Sequence, residues 1–293
     1  MKTILIATDF SSAARNATIY GFELARLIRA KVILFTAFTM PAALPESSLY
    51  LTSKELERNS YKQLLDEAET IDPRRTIALE TQSRQGPVSS SILSAALEYK
   101  ASYIIVGMKE RGKEIRKYFG SAVTDLCKHS QVPLIVVPAD AVFSIPKTIA
   151  LASDITDDTD IQILEPLKKI VEKFESRLFV VRVIKNSMDE VASRVIKSKK
   201  LIWFLTSLYP SYVFPKARNV AKAMIAFVKQ YAVDLVAVIP HEHTLFERLF
   251  TKSVTKNMIF RTPVPLLILP EKKDTIKEEP GKEIDGSEVI SAA

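Results

Sequence analysis

Two rhythms of hydrophobic and polar residues run along this chain: short, wholly apolar runs, and longer stretches with a single apolar side. Val32-Ile-Leu-Phe35 and Leu134-Ile-Val-Val137 are apolar throughout, as strands covered on both faces are. Between such runs the apolar positions take helical spacing. Ala13, Ala17, Tyr20, Leu24 and Ile28 fall along one side of a stretch that Ser11 or Ser12 would cap. Gly86-Pro87 places a proline in the first turn of another such stretch, where its missing N–H costs nothing. In the first half these patterns predict strands at 2–8, 31–37, 76–82, 102–107 and 133–138. Helices are expected near 12–28, 54–71, 87–99 and 120–130. Strands separated by helices specify a parallel, doubly wound α/β sheet with right-handed crossovers.

The pattern then repeats. Lys2-Thr-Ile-Leu-Ile-Ala-Thr-Asp9 returns as Lys147-Thr-Ile-Ala-Leu-Ala-Ser-Asp154, and Gln131-Val-Pro-Leu-Ile-Val-Val-Pro138 as Pro263-Val-Pro-Leu-Leu-Ile-Leu-Pro270. Between these anchors Ser102–Val106 aligns with Asp234–Val238, and Ser121 with Ser253. A tandem duplication follows, with one domain at 1–140 and a second at 145–271. The second copy is shorter, chiefly through loss of the 38–53 insert. Its strands are expected near 147–153, 177–184, 201–208, 234–239 and 265–269, with its third helix at 216–231. Residues 272–293 are polar, hold little to bury, and are expected to form a disordered tail.

Composition narrows the class. Hydrophobic content of 47% and charged content of 26% are ordinary for a soluble globular protein. No apolar run approaches the ~18 residues that span a bilayer, and the N-terminus reads as a strand, not a signal peptide. A cytoplasmic protein with no membrane partner is expected. The net charge is +7, but its basic residues are dispersed, with local groups at Lys109–Lys117 and Lys197–Lys200. No aromatic residues interleave with them as in a stacking platform, so a nucleic-acid partner is not expected. The single cysteine, Cys127, lies on the apolar side of a helix and reads as a buried thiol.

Candidate chemistry concentrates at one place. Only seven glycines occur in the chain, and Gly107, Gly112 and Gly120 punctuate one long basic loop between a strand and a helix. Amides at a helix start, a positive dipole end and glycine together suit a phosphate. In strand order 3-2-1-4-5 that loop and Thr8-Asp9-Phe10-Ser11 meet where the order reverses, the usual ligand crevice of open α/β sheets. Asp9 would accept from a ribose or an adenine amino group, or it would simply cap the first helix. Gly107, Gly120, Ser121 and Ala122 would donate to phosphates, with Lys109, Arg111, Lys113, Arg116 and Lys117 offsetting charge. Gly112 reads equally as a turn glycine, and Gly120-Ser121 equally as a plain N-cap. His241 and His243 follow the second copy's fourth strand, but two histidines without further ligands read as surface groups. No nucleophile elbow, P-loop or Cys-x-x-Cys occurs.

Thr8-Asp9-Phe10-Ser11 after the first strand, Gly107…Gly120-Ser121, and the closing Val-Pro-Leu-Ile-Val-Val-Pro together resemble the universal stress protein family. The likeness runs through both copies. It implies an adenine nucleotide alpha hydrolase-like fold and an adenine nucleotide, usually ATP, with Mg²⁺-bridged phosphates on the glycine loop. Adenine would rest near Ala7, Thr8, Asp9 and Ala37, and the glycine loop would start at Gly107-Met108. The family spacing is glycine, two residues, glycine, nine residues, glycine, then serine or threonine. Its second glycine falls on Glu110, a carboxylate that would repel phosphate. The second copy departs further, with Ile239, Glu242, Thr244 and Lys252 in place of Gly107, Glu110, Gly112 and Gly120. It reads as a degenerate copy kept for structure. Three roles follow in order: a nucleotide-binding stress or signalling module, a non-binding scaffold, and last an enzyme, for which no base can be nominated. The apolar fifth strands invite partners. Pairing of 132–137 with 264–269 inside one chain is the simplest outcome, and association of two chains into a homodimer is another.

Overall fold

The computed structural model describes residues 2–39, 53–108, 121–152, 160–184, 198–239 and 262–270. The first half contains β1 (Thr3–Ala7), α1 (Ser12–Ile28), β2 (Lys31–Phe38), α2 (Ser53–Ile71), β3 (Leu79–Gln85), α3 (Val88–Glu98), β4 (Tyr103–Met108), α4 (Ser121–His129) and β5 (Leu134–Pro138). The second contains β6 (Thr148–Ala152), α5 (Glu165–Phe174), β7 (Arg177–Val181), α6 (Lys199–Leu205), β8 (Ser211–Val213), α7 (Val220–Gln230), β9 (Leu235–Val238) and β10 (Leu266–Ile268).

All ten strands lie in one sheet, in the order β3-β2-β1-β4-β5-β10-β9-β6-β7-β8. Each half has the doubly wound order 3-2-1-4-5, and neighbours within a half are parallel. The halves join through an antiparallel seam that sets Leu266 against Val136, Leu267 against Ile135 and Ile268 against Leu134. Strand direction therefore reverses at the seam, so the carboxyl ends of the two sets of strands lie along opposite borders of the sheet. Alternate residues feed two cores. Ile4, Ile6, Val32, Leu34, Ile149 and Leu151 face one side with α1, α2, α5 and α6. Leu5, Phe35, Val106, Val136 and Phe179 face the other with α3, α4 and α7.

Local chemistry sets the helix ends. Ser11 is the N-cap of α1, its hydroxyl accepting from the Ala14 amide at 3.3 Å, and Arg29 ends the helix in the left-handed region at φ 52°. Pro166 sits in the first turn of α5. Asp72 closes α2, accepting from the Thr76 hydroxyl at 2.8 Å, the Ile77 amide at 3.0 Å and the Arg26 guanidinium at 3.1 Å. Because Thr76 and Ile77 are used this way, β3 starts at Leu79 rather than at 76 and continues to Gln85.

The expected strand at 201–208 is a correction. Residues 199–205 are helical and 206–208 form a 3-10 turn, while the strand in that position of the sheet is Ser211–Val213. A short apolar run such as Leu-Ile-Trp-Phe-Leu fits either period. Buried Ser198 decides it by capping the Leu201 amide at 3.1 Å, and Leu201, Phe204 and Leu205 then turn inward together. Among the described residues no helix is long and apolar enough to cross a membrane.

Candidate functional site

The crevice begins where β1 ends between β2 and β4. Ala7 stands opposite Phe35 on one side and Val106 on the other. The chain then leaves the sheet through a tightly held turn. The Thr8 amide donates to the Phe35 carbonyl at 2.9 Å, and the buried Thr36 hydroxyl donates to the Thr8 carbonyl at 2.8 Å. Thr8 Oγ1 accepts from the Phe10 amide at 3.0 Å and donates to Glu67 Oε2 of α2 at 3.2 Å. These bonds hold Phe10 at φ 61°, a conformation that bulky residues rarely adopt. Asp9 stays exposed at the turn, with one carboxylate oxygen accepting from the Ser11 amide at 3.0 Å. Ser11, not Asp9, caps α1. Asp9 is thus an oriented carboxylate at the mouth of the crevice.

Strand alternation sorts the remaining residues by face. Ala7, Ala37 and Met108 pack with the α3/α4 core, so that side is apolar. Beyond Ala37, Arg84 stands in register; its guanidinium lies 5.9 Å above the Phe35 ring and pairs with Glu98 at 2.6 Å. Thr8, Thr36 and Glu67 lie toward α2. Ser83 is opposite Thr36 in register. Among the described residues Glu67 Oε1 and Ser83 Oγ are buried with no hydrogen-bond partner, each at a cost of about 1–3 kcal/mol. Sequence reasoning missed this polar cluster, although Glu67 interrupts the buried Leu64, Ala68 stripe and Thr36 directly follows the apolar run Val32–Phe35.

Gly107 has a task of its own. A Cβ there would come within 2.5 Å of the Ala13 carbonyl carbon and 2.7 Å of the Ala14 nitrogen. Its missing side chain is what lets the first turn of α1 lie against β4. Ser121 and Ala122 open α4, whose amide end has the positive dipole pole. Ala7, Thr8, Asp9, Ala37, Gly107 and Met108 are therefore neighbours at the ends of three adjacent strands. Gly112, Gly120, Glu110 and the basic side chains from Lys109 to Lys117 lie outside the described residues, as do His241, His243 and Lys252. Among the described residues no group of three or more His, Cys, Asp or Glu gathers to hold a metal. Cys127 is buried, and burial pushes its thiol up to about 12.

At the ends of β1 and β2 the small apolar side chains of Ala7 and Ala37 thus lie near a carboxylate, Asp9, that can accept from hydroxyl or amino donors.

Residues 1–138 match the model of the universal stress protein family. Universal stress protein Sll1654 of Synechocystis sp. is 27% identical over 138 residues, covering 47% of this chain and 85% of its own length. A universal stress protein from Archaeoglobus fulgidus superposes on 92% of the chain and 98% of its own, with TM-score 0.69 and 17% identity. A protein of unknown function from Pseudomonas aeruginosa covers 92% of the chain and 93% of its own at TM-score 0.58 and 10% identity. These two structural likenesses extend the fold across both halves.

Proposed function

This chain belongs to the universal stress protein family by its first 138 residues, and from that premise we propose that its first half is an adenine-nucleotide-binding stress or signalling module. Adenine would lie over Ala7 and Ala37, Asp9 would accept from the ribose or the amino group, and ATP phosphates would run toward Ser121 and Ala122 at the start of α4. Gly112 and Gly120 would let the loop amides wrap the phosphates, and a bound Mg²⁺ would bridge them. The observation that carries the reading is the Thr8–Asp9–Phe10 turn, held by hydrogen bonds through Thr8 and by the Ser11 amide donating to Asp9, at strand ends that carry Ala7 and Ala37. The proposed units are 1–140 for binding and 145–271 for support. In the second unit, Ile239 and Lys252 replace Gly107 and Gly120, so no phosphate cradle is expected there. The role is regulatory, in the cytoplasm, with at most weak ATP hydrolysis; pairing of the halves at the fifth strands would make the chain its own dimer.

Native mass spectrometry of the purified full chain tests this. A mass increment matching one adenine nucleotide, lost in Gly120→Lys, supports the reading. A chain that stays nucleotide-free with excess ATP and Mg²⁺ overturns it. Glu110 favours a second reading, in which this site too is closed and the chain is a scaffold; that second outcome is its signature.

A further inference from the structure

The helix that replaced an expected strand leaves an exposed surface. Were 201–208 a strand of this sheet, its apolar run would be covered on both faces. As α6 it buries Leu201, Phe204 and Leu205 and turns Ile202 and Trp203 outward, Trp203 at 79% exposure. Tyr209, just after the helix, is 89% exposed. Lys199 and Arg218 are exposed in the same stretch, and 198–219 contains no acidic residue. This stretch includes β8, the terminal strand of the sheet at that end.

We infer that this edge of the second half is a docking surface for an anionic bilayer. Rings exposed to this degree are protrusions, not walls of a groove. A fluid headgroup layer receives protrusions without needing a matching hollow. Tryptophan and tyrosine suit that layer because each has an apolar body and a polar tip, while Lys199 and Arg218 draw anionic headgroups. Exposed Ile202 argues for lipid over nucleic acid, which rewards flat rings. A second copy is disfavoured because like charges would meet. No spanning segment is needed, since a peripheral contact rests on buried apolar area plus charge.

Trp203 is the only tryptophan of the chain, so its emission reports this surface alone. The full-length protein is mixed with vesicles of phosphatidylcholine, or of phosphatidylcholine with one third phosphatidylglycerol, and followed by emission and by pelleting. A blue shift and pelleting with the anionic vesicles are expected, with little of either on the neutral ones. Lys199→Ser with Arg218→Ser should weaken pelleting about 25-fold, at about fivefold per charge, and Trp203→Ser should also release the protein. Unshifted emission with all protein in the supernatant overturns the inference, and that result needs no variant. Anionic-vesicle binding that survives both variants places the contact elsewhere and also overturns it. A shift with a single-stranded oligonucleotide or polyglutamate, but not with vesicles, reassigns the surface to another polyanion.

Discussion

Replacing Gly107 with alanine adds one methyl group at the tightest helix–strand contact of the candidate site. That carbon would stand 2.5 Å from the Ala13 carbonyl carbon and 2.7 Å from the Ala14 nitrogen, where ordinary contact begins near 3.4 Å. Its obstacles are backbone atoms, so no rotamer change relieves the clash. The first turn of α1 must retreat by about 1 Å, which loosens Ala13 and Ala14 in the core; overpacking of this kind costs about 1–3 kcal/mol. At about 2–4 °C per kcal/mol for a chain of this size, the melting midpoint should fall by about 2–12 °C. Scanning calorimetry without nucleotide reads the effect, because with no ligand present any loss is packing alone. A Gly107→Ala protein that melts with the wild type would refute the close approach of α1 to β4. Gly107 would then be available for a purely ligand-facing role.

Leu267→Ala at the seam opposite Ile135 empties a fully buried site; urea unfolding should show a loss of about 2–5 kcal/mol. Ser83→Ala removes a buried hydroxyl that has no partner, so the same assay should show no loss, or a gain of up to about 1 kcal/mol. For Asp72, burial pushes the carboxyl up, but bonds from Thr76, Arg26 and the Ile77 amide outweigh it and hold the group below its ordinary value. Its contribution is therefore present above the ordinary carboxylate range, about pH 3.9, and lost as pH falls through the depressed value. The stability gap between wild type and Asp72→Asn should narrow on acidification below that range, as followed by circular dichroism. Cys127 should resist alkylation at neutral pH in the folded chain and react at once in urea, since burial raises its thiol to about 12.

How much of this was legible in the chain depends on how many residues a signal spans. The duplication rests on whole segments such as Lys2–Asp9 and Lys147–Asp154, and with it came the strand order of both halves. Helix α1 was readable to its ends because its cap and its apolar stripe agree. The run from Leu201 to Leu205 was not, since five apolar residues carry no period and the deciding group, Ser198, lies outside the run. The start of β3 was displaced because Asp72 takes Thr76 and Ile77 for the end of α2, a contact no spacing rule announces. Within the site, Asp9 was proposed from the strand order, whereas Ala7 and Ala37 entered only through the family resemblance. Glu67 reaches Thr8 from 59 positions away, and a carboxylate inside an amphipathic helix gives no sign of which way it turns. Gly107 was read for phosphate, whereas its nearest neighbour is the backbone of α1.

On the proposed reading the β1–β4 crevice of the first half takes an adenine nucleotide and the second half does not. Calorimetric titration of the full chain with ATP and Mg²⁺ distinguishes the two halves. Saturable binding of one nucleotide per chain, abolished by Gly120→Lys and untouched by Lys252→Ser, is the predicted result. An absence of heat at every concentration, or two equal sites per chain, would contradict it.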